Sequence, residues 1–154
     1  MAPGVSKPTA FMLLILNMGL YFFIIIISSW IINHGIVRSH ESAAILTIPA
    51  RIFPIYFPMG NLATGFFVIL SLLAGVVGFT SSITGLYNLF LWNAPSIHAT
   101  YASSLASLSL TLLAMGFACK EISIGWTDSI LRTLEVVTII VSGTQLLCTV
   151  AIRV

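Results

Sequence analysis

Apolar residues run through this chain in four long blocks, each closed by a short polar or proline-bearing break. The first block, Thr9 to Ile32, lies between Pro8 and the pair Asn33-His34. The second opens near Gly60-Asn61, the third follows Asn93-Ala94-Pro95 and closes at Lys120-Glu121, and the fourth starts at Thr127-Asp128. An α-helix crosses the hydrocarbon layer, about 30 Å thick, in about 20 residues. The pattern therefore predicts four spanning helices at about 9–32, 60–85, 97–119 and 128–152, within one transmembrane domain covering residues 1–154. Asp128 is a good N-cap, and Pro95 suits the first turn of a helix. An alternating β-barrel pattern is not found, because Phe22 to Ile27 is apolar on both faces. The first block is too long for a signal peptide and is expected to be retained as a span. The expected fold is an all-α membrane protein: a four-helix transmembrane bundle with a long proline-rich first loop.

Composition agrees with the pattern. Charged residues make up 6% of the 154, against about 25% in a soluble domain. Hydrophobic residues make up 58%, and mean hydropathy is +1.11. So few charges cannot cover a water-soluble globule, and so much apolar content excludes disorder. A formal net charge of +2 shows no basic face for nucleic acid.

Helices in lipid approach closely where small residues line up. Ala74, Gly78 and Ser82 form such a stripe in the second span, and Ala102, Ala106, Ala114 and Ala118 form another in the third. These stripes suit internal packing of a monomeric bundle, although a homo-oligomer also fits. Asn33 to Met59 is read as the longest loop, with a short surface helix over Ser39–Leu46. Beyond it, Pro49, Pro54 and Pro58 exclude continuous helix. Leu86 to Ser96 forms a second, uncharged loop. Counting Lys and Arg alone leans loops one and three toward the cytoplasm.

The two cysteines, Cys119 and Cys148, are expected near opposite membrane faces, too far apart for a disulfide. Cys119 is either a palmitoylation site or an inert packed thiol. There is no N-glycosylation sequon. His34, His40 and Glu41 lack the spacing of a metal site, no serine sits in a nucleophile elbow, and no cofactor motif is present. Nothing in the sequence argues for an enzyme.

Two places can carry ionic chemistry. Asp128, Arg132 and Glu135 fall at i, i+4 and i+7 on one helical face, where they can start a short span or hold an ion, a proton or an anionic ligand. Arg51, between Pro49 and Pro54, can bind a carboxylate or a lipid phosphate. Tyr56, Phe53 and Phe57 add aromatic surface beside it. Arg38, His40, Glu41, Lys120 and Asp128 complete a charge cluster on the side of loops one and three.

Several stretches here resemble the AWPM-like family of plant plasma-membrane proteins. They include Asn33-His34-Gly35-Ile36, Arg38-Ser39-His40-Glu41, and the run Pro49-Ala50-Arg51-Ile52-Phe53-Pro54-Ile55-Tyr56-Phe57-Pro58-Met59-Gly60-Asn61. Leu91-Trp92-Asn93-Ala94-Pro95, Ala118-Cys119-Lys120-Glu121-Ile122 and Gly125-Trp126-Thr127-Asp128-Ser129 carry it further, as do Leu131 to Val136 and Thr138 to Cys148. The resemblance implies a small four-span protein of the plasma membrane, linked to abscisic acid, drought and cold, with a proposed part in abscisic-acid influx. The family attaches no catalytic motif, so no site is carried over from it.

A carrier of such an acid needs a cation for the carboxylate, an apolar and aromatic cavity, and a protonatable partner. Arg51 or Arg132, the aromatics around Tyr56, and Glu135 or His34 are the candidates. The competing expectation is a structural tetraspan that organises membrane during dehydration or cold.

Overall fold

The computed structural model describes residues 7–43, 62–91, 93–125 and 128–153. Within them run four helices: α1 Lys7–Ala43, α2 Leu62–Leu91, α3 Ala94–Ile124 and α4 Ser129–Arg153. All four are long and apolar enough to cross a membrane. At about 1.5 Å per residue, the 37-residue α1 extends well beyond a hydrocarbon layer about 30 Å thick.

The helices reach further than the hydrophobic blocks. Asn33, His34, Arg38, His40 and Glu41, expected in a loop, lie on the backbone of α1. Most of the expected second loop is helix, because α2 continues to Leu91 and α3 begins at Ala94. Apolarity marks where lipid ends, whereas a helix continues until its backbone is capped or broken. The proline-rich segment of the expected first loop lies outside the described residues.

The breaks have local causes. Asn93 takes extended backbone (φ −101°, ψ 148°), Pro95 sits in the first turn, and the Ile97 N–H donates to the Asn93 carbonyl at 3.0 Å. Gly125 ends α3 in the left-handed region (φ 79°, ψ 30°), and its N–H donates to the Glu121 carbonyl at 3.2 Å. Asp128 Oδ1 accepts the Ile130 N–H at 3.1 Å and so caps α4.

Each helix packs against its sequence neighbour, and α4 returns against α1 to close a ring. Two apolar clusters form the core. One gathers Ala10, Leu14, Leu89, Cys148, Ala151 and Ile152 at the end where α1 begins and α4 finishes. The other holds Tyr21, Ile24, Ile31, Phe67, Leu131, Leu134 and Val141 through the remaining length.

Outside, the bundle is apolar: Phe22, Phe23, Leu73, Leu113, Val136 and Leu147 are among many large side chains exposed. In water this surface would be a severe liability, but against acyl chains it is the required solvent-facing side. Four hydroxyls on this face bond to their own helix. Thr80, Thr84, Ser109 and Thr133 donate to carbonyls one turn back, at 2.9 to 3.0 Å. The small-residue stripes divide by face. Ala74, Gly78 and Ser82 are all buried, and Ala114 and Ala118 are too, whereas Ala102 and Ala106 are exposed.

Candidate functional site

Polar side chains fill much of the space between the helices. Asn17 Nδ2 donates to Gln145 Oε1 at 2.9 Å, joining α1 to α4. Gln145 Nε2 in turn donates to the Ser104 carbonyl and hydroxyl at 3.1 and 3.0 Å, which brings in α3. Ser104 and Thr149 share a hydroxyl–hydroxyl bond of 2.8 Å. One turn further along α1, the Tyr21 hydroxyl meets Thr111 Oγ1 at 2.8 Å across the bundle diagonal. All of these groups are buried. Hydrocarbon offers no alternative partner, so each pair costs free energy to break and fixes the rotation of the helices that carry it.

The ionic part of the interior lies toward the other end. Glu121, near the end of α3, is 1% exposed, and its Oε2 accepts the Thr64 hydroxyl of α2 at 2.8 Å. Its Oε1 is buried without a hydrogen-bond partner. Glu135 of α4 is 6% exposed and lies within electrostatic range of both Glu121 and Arg132.

Side chains on a helix lean toward its N-terminus. Glu121 therefore leans back into the bundle, and Glu135, on an antiparallel helix, leans toward the end where α4 begins. Ser28 and Ser71 are also fully buried, and neither hydroxyl has a partner.

The sequence candidates separate on this frame. Glu135 faces the interior, whereas Arg132 is exposed beside a groove of about 340 Å³ lined by Ser129, Arg132, Thr133, Val136 and Val137. His34 is half-buried and stacks on Trp30, with ring centroids 5.0 Å apart and planes 7° from parallel. Lys120 is exposed, next to Leu112, Leu113, Gly116 and Phe117. Asp128 is occupied as a helix cap. Arg38, His40 and Glu41 lie on α1, with their side chains outside the description; Arg51 and Tyr56 lie outside the described residues altogether. No group of three His, Cys, Asp or Glu suited to a metal occurs among the described residues.

Sequence reasoning missed Glu121, Asn17 and Gln145. Lys120-Glu121 reads as a solvated terminator of the third span, yet Glu121 continues the Ala114–Ala118 face by the next helical step. That spacing was the available signal. Asn17 and Gln145 carried another, since amides inside an apolar span turn toward protein rather than lipid.

An apolar exterior, four spanning-length helices and a hydrogen-bonded polar interior define a polytopic helical membrane protein. The AWPM-19-like family model matches residues 15–154, and the chain belongs to that family. It is similar to "Membrane protein PM19L" of Oryza sativa subsp. japonica, 38% identical over 147 residues that cover 94% of this chain and 76% of the rice protein. No solved structure matches.

Proposed function

We propose that the protein facilitates uptake of a small organic acid across the plasma membrane, with abscisic acid as the substrate that the family resemblance suggests. The observation that supports this reading is the polar interior from Thr149 and Ser104 through Asn17, Gln145 and Thr111 to Glu121. A path for a polar solute through four helices requires such a lining, which lipid contact alone does not. Arg132, which is exposed, would gather an anionic acid at the surface in this reading. Buried Glu121 and Glu135 would repel the carboxylate, so passage falls to the protonated, neutral acid, which can donate a hydrogen bond to either. No catalytic step is part of this reading.

Uptake of labelled acid into proteoliposomes tests it, with Arg51→Gln and Arg132→Gln measured individually beside the wild type. Saturable uptake above empty vesicles, reduced in at least one variant, is the expected result. Wild-type uptake equal to empty vesicles ends the reading.

A second reading, a tetraspan that organises or stabilises membrane during dehydration or cold, is favoured by the hydrogen bonds that tie Asn17 of α1 to Gln145 and Thr149 of α4 and Ser104 of α3, which fix the rotation of three helices as a rigid packing element needs. It expects no saturable uptake and tolerance of both arginine substitutions.

A further inference from the structure

We infer that Glu121 and Glu135 form a binding site for a single monovalent cation, a proton or an alkali ion, held inside the bundle between α2, α3 and α4. Two carboxylates within electrostatic range of each other are both nine-tenths or more buried. Bringing two such charges into a low-dielectric interior is costly, and the cost falls steeply once one positive charge joins them.

Among the described side chains, Arg132 lies within electrostatic range of Glu135, but it is exposed and not buried with the pair. On α3, Lys120 is exposed, and on α4, Arg132 is exposed while Asp128 caps the helix. The helix α2 carries no charged residue. On α1 the described titratable groups toward the pair are Tyr21, buried and bonded to Thr111, and His34, half-buried and stacked on Trp30; Arg38, His40 and Glu41 follow on the same helix.

An independent observation points to a ligand rather than to a closed polar contact. Glu121 Oε2 accepts the Thr64 hydroxyl, which leaves Oε1 buried within the bundle and without a hydrogen-bond partner. Such an oxygen is expensive to leave empty.

Two further unpartnered oxygens stand deeper. Gly78 of α2 lies against Tyr21 of α1, and about two helical turns further along both antiparallel helices Ser71 comes level with Ser28. The α1–α4 register, set by Asn17 on Gln145, brings Ser28 level with Leu134 and Glu135 after about three turns. Carboxylate and hydroxyl oxygens are the hard donors that an alkali ion takes, and the same carboxylates take a proton. The inference stands whether or not an organic acid is carried.

The test uses the full chain reconstituted in lipid nanodiscs and difference infrared spectroscopy of its carboxyl groups. In one arm, Na+ or K+ replaces choline at fixed pH; in the other, pH is stepped in choline alone. A saturable shift of a carboxylate band with Na+ or K+, lost in Glu121→Gln, identifies an alkali-ion site. A carboxyl band that titrates in choline, ignores alkali ions and is lost in Glu121→Gln identifies a proton site. Thr64→Val, which keeps both carboxylates and removes the orienting hydroxyl, is expected to weaken binding by about ten-fold; it serves as the readout where Glu121→Gln fails to fold. No response in either arm, or a response unchanged in Glu121→Gln and Glu135→Gln, overturns the inference.

Discussion

The ring of Tyr21 lies against the backbone of Gly78, so close that a methyl group placed on this glycine would overlap the ring. The contact joins α1 to α2 at the level where the Tyr21 hydroxyl meets Thr111 of α3. Gly78→Ala therefore has to push the ring away and disturb that bond as well. We expect a loss of about 1–3 kcal/mol, the usual range for overpacking a core. Gly143→Ala, where an added methyl meets nothing within 4 Å, is expected to be neutral or slightly stabilising. Denaturant titration of the two variants in the same detergent compares them directly; equal stability would remove the close approach from the account.

The amide bridge between Asn17 and Gln145 should behave as a coupled pair. Removing Gln145 strands the Asn17 amide N–H and takes a donor away from Ser104, so the single variants overlap in their cost. A double-mutant cycle with Asn17→Ala and Gln145→Ala is expected to return about 0.5–1.7 kcal/mol of coupling, the span found for hydrogen bonds between membrane helices. Strict additivity would mean that the two amides do not meet.

The cysteines should differ in reactivity. Cys119 is exposed and Cys148 is buried, and both are free thiols. In detergent micelles a maleimide is expected to modify Cys119 first, with Cys148 following only after unfolding. Rapid labelling of a Cys119→Ser variant would place Cys148 elsewhere.

At the start of α4, Asp128→Ala removes the side-chain acceptor for the Ile130 N–H. A loss of about 0.5–2 kcal/mol is expected, with Asp128→Asn retaining most of the stability. Thermal unfolding followed by circular dichroism separates the two, and an unaffected alanine variant would argue against the cap.

Much of the architecture was legible because apolar runs of spanning length are a strong signal. Asp128 and the Asn93–Pro95 start were readable from capping chemistry alone, since it depends on neighbours in sequence. The site was less legible. Glu135 could be nominated from its face on the fourth span, but the charge that approaches it comes from Glu121 on a different helix. Glu121 beside Lys120 looks like an ordinary span end, and only the packing of α2 across it, with Thr64 on its carboxylate, shows the two neighbours turned opposite ways.

By itself, the sequence determined the solvent of this protein. With 6% charged residues and four long apolar blocks, no arrangement of the chain could expose such helices stably to water. It also determined where two helix starts fall, at Asn93 and Asp128, through backbone and capping preferences that act within a turn. Tertiary structure decided which polar groups face inward: Asn17 against Gln145, Ser104 against Thr149, Tyr21 across to Thr111, and Glu121 against Thr64. Those pairings join residues far apart in the chain, and they depend on the rotation and register of whole helices. In hydrocarbon, apolar side chains fit equally well facing lipid or protein, so the buried hydrogen bonds and the close Tyr21–Gly78 contact set that rotation.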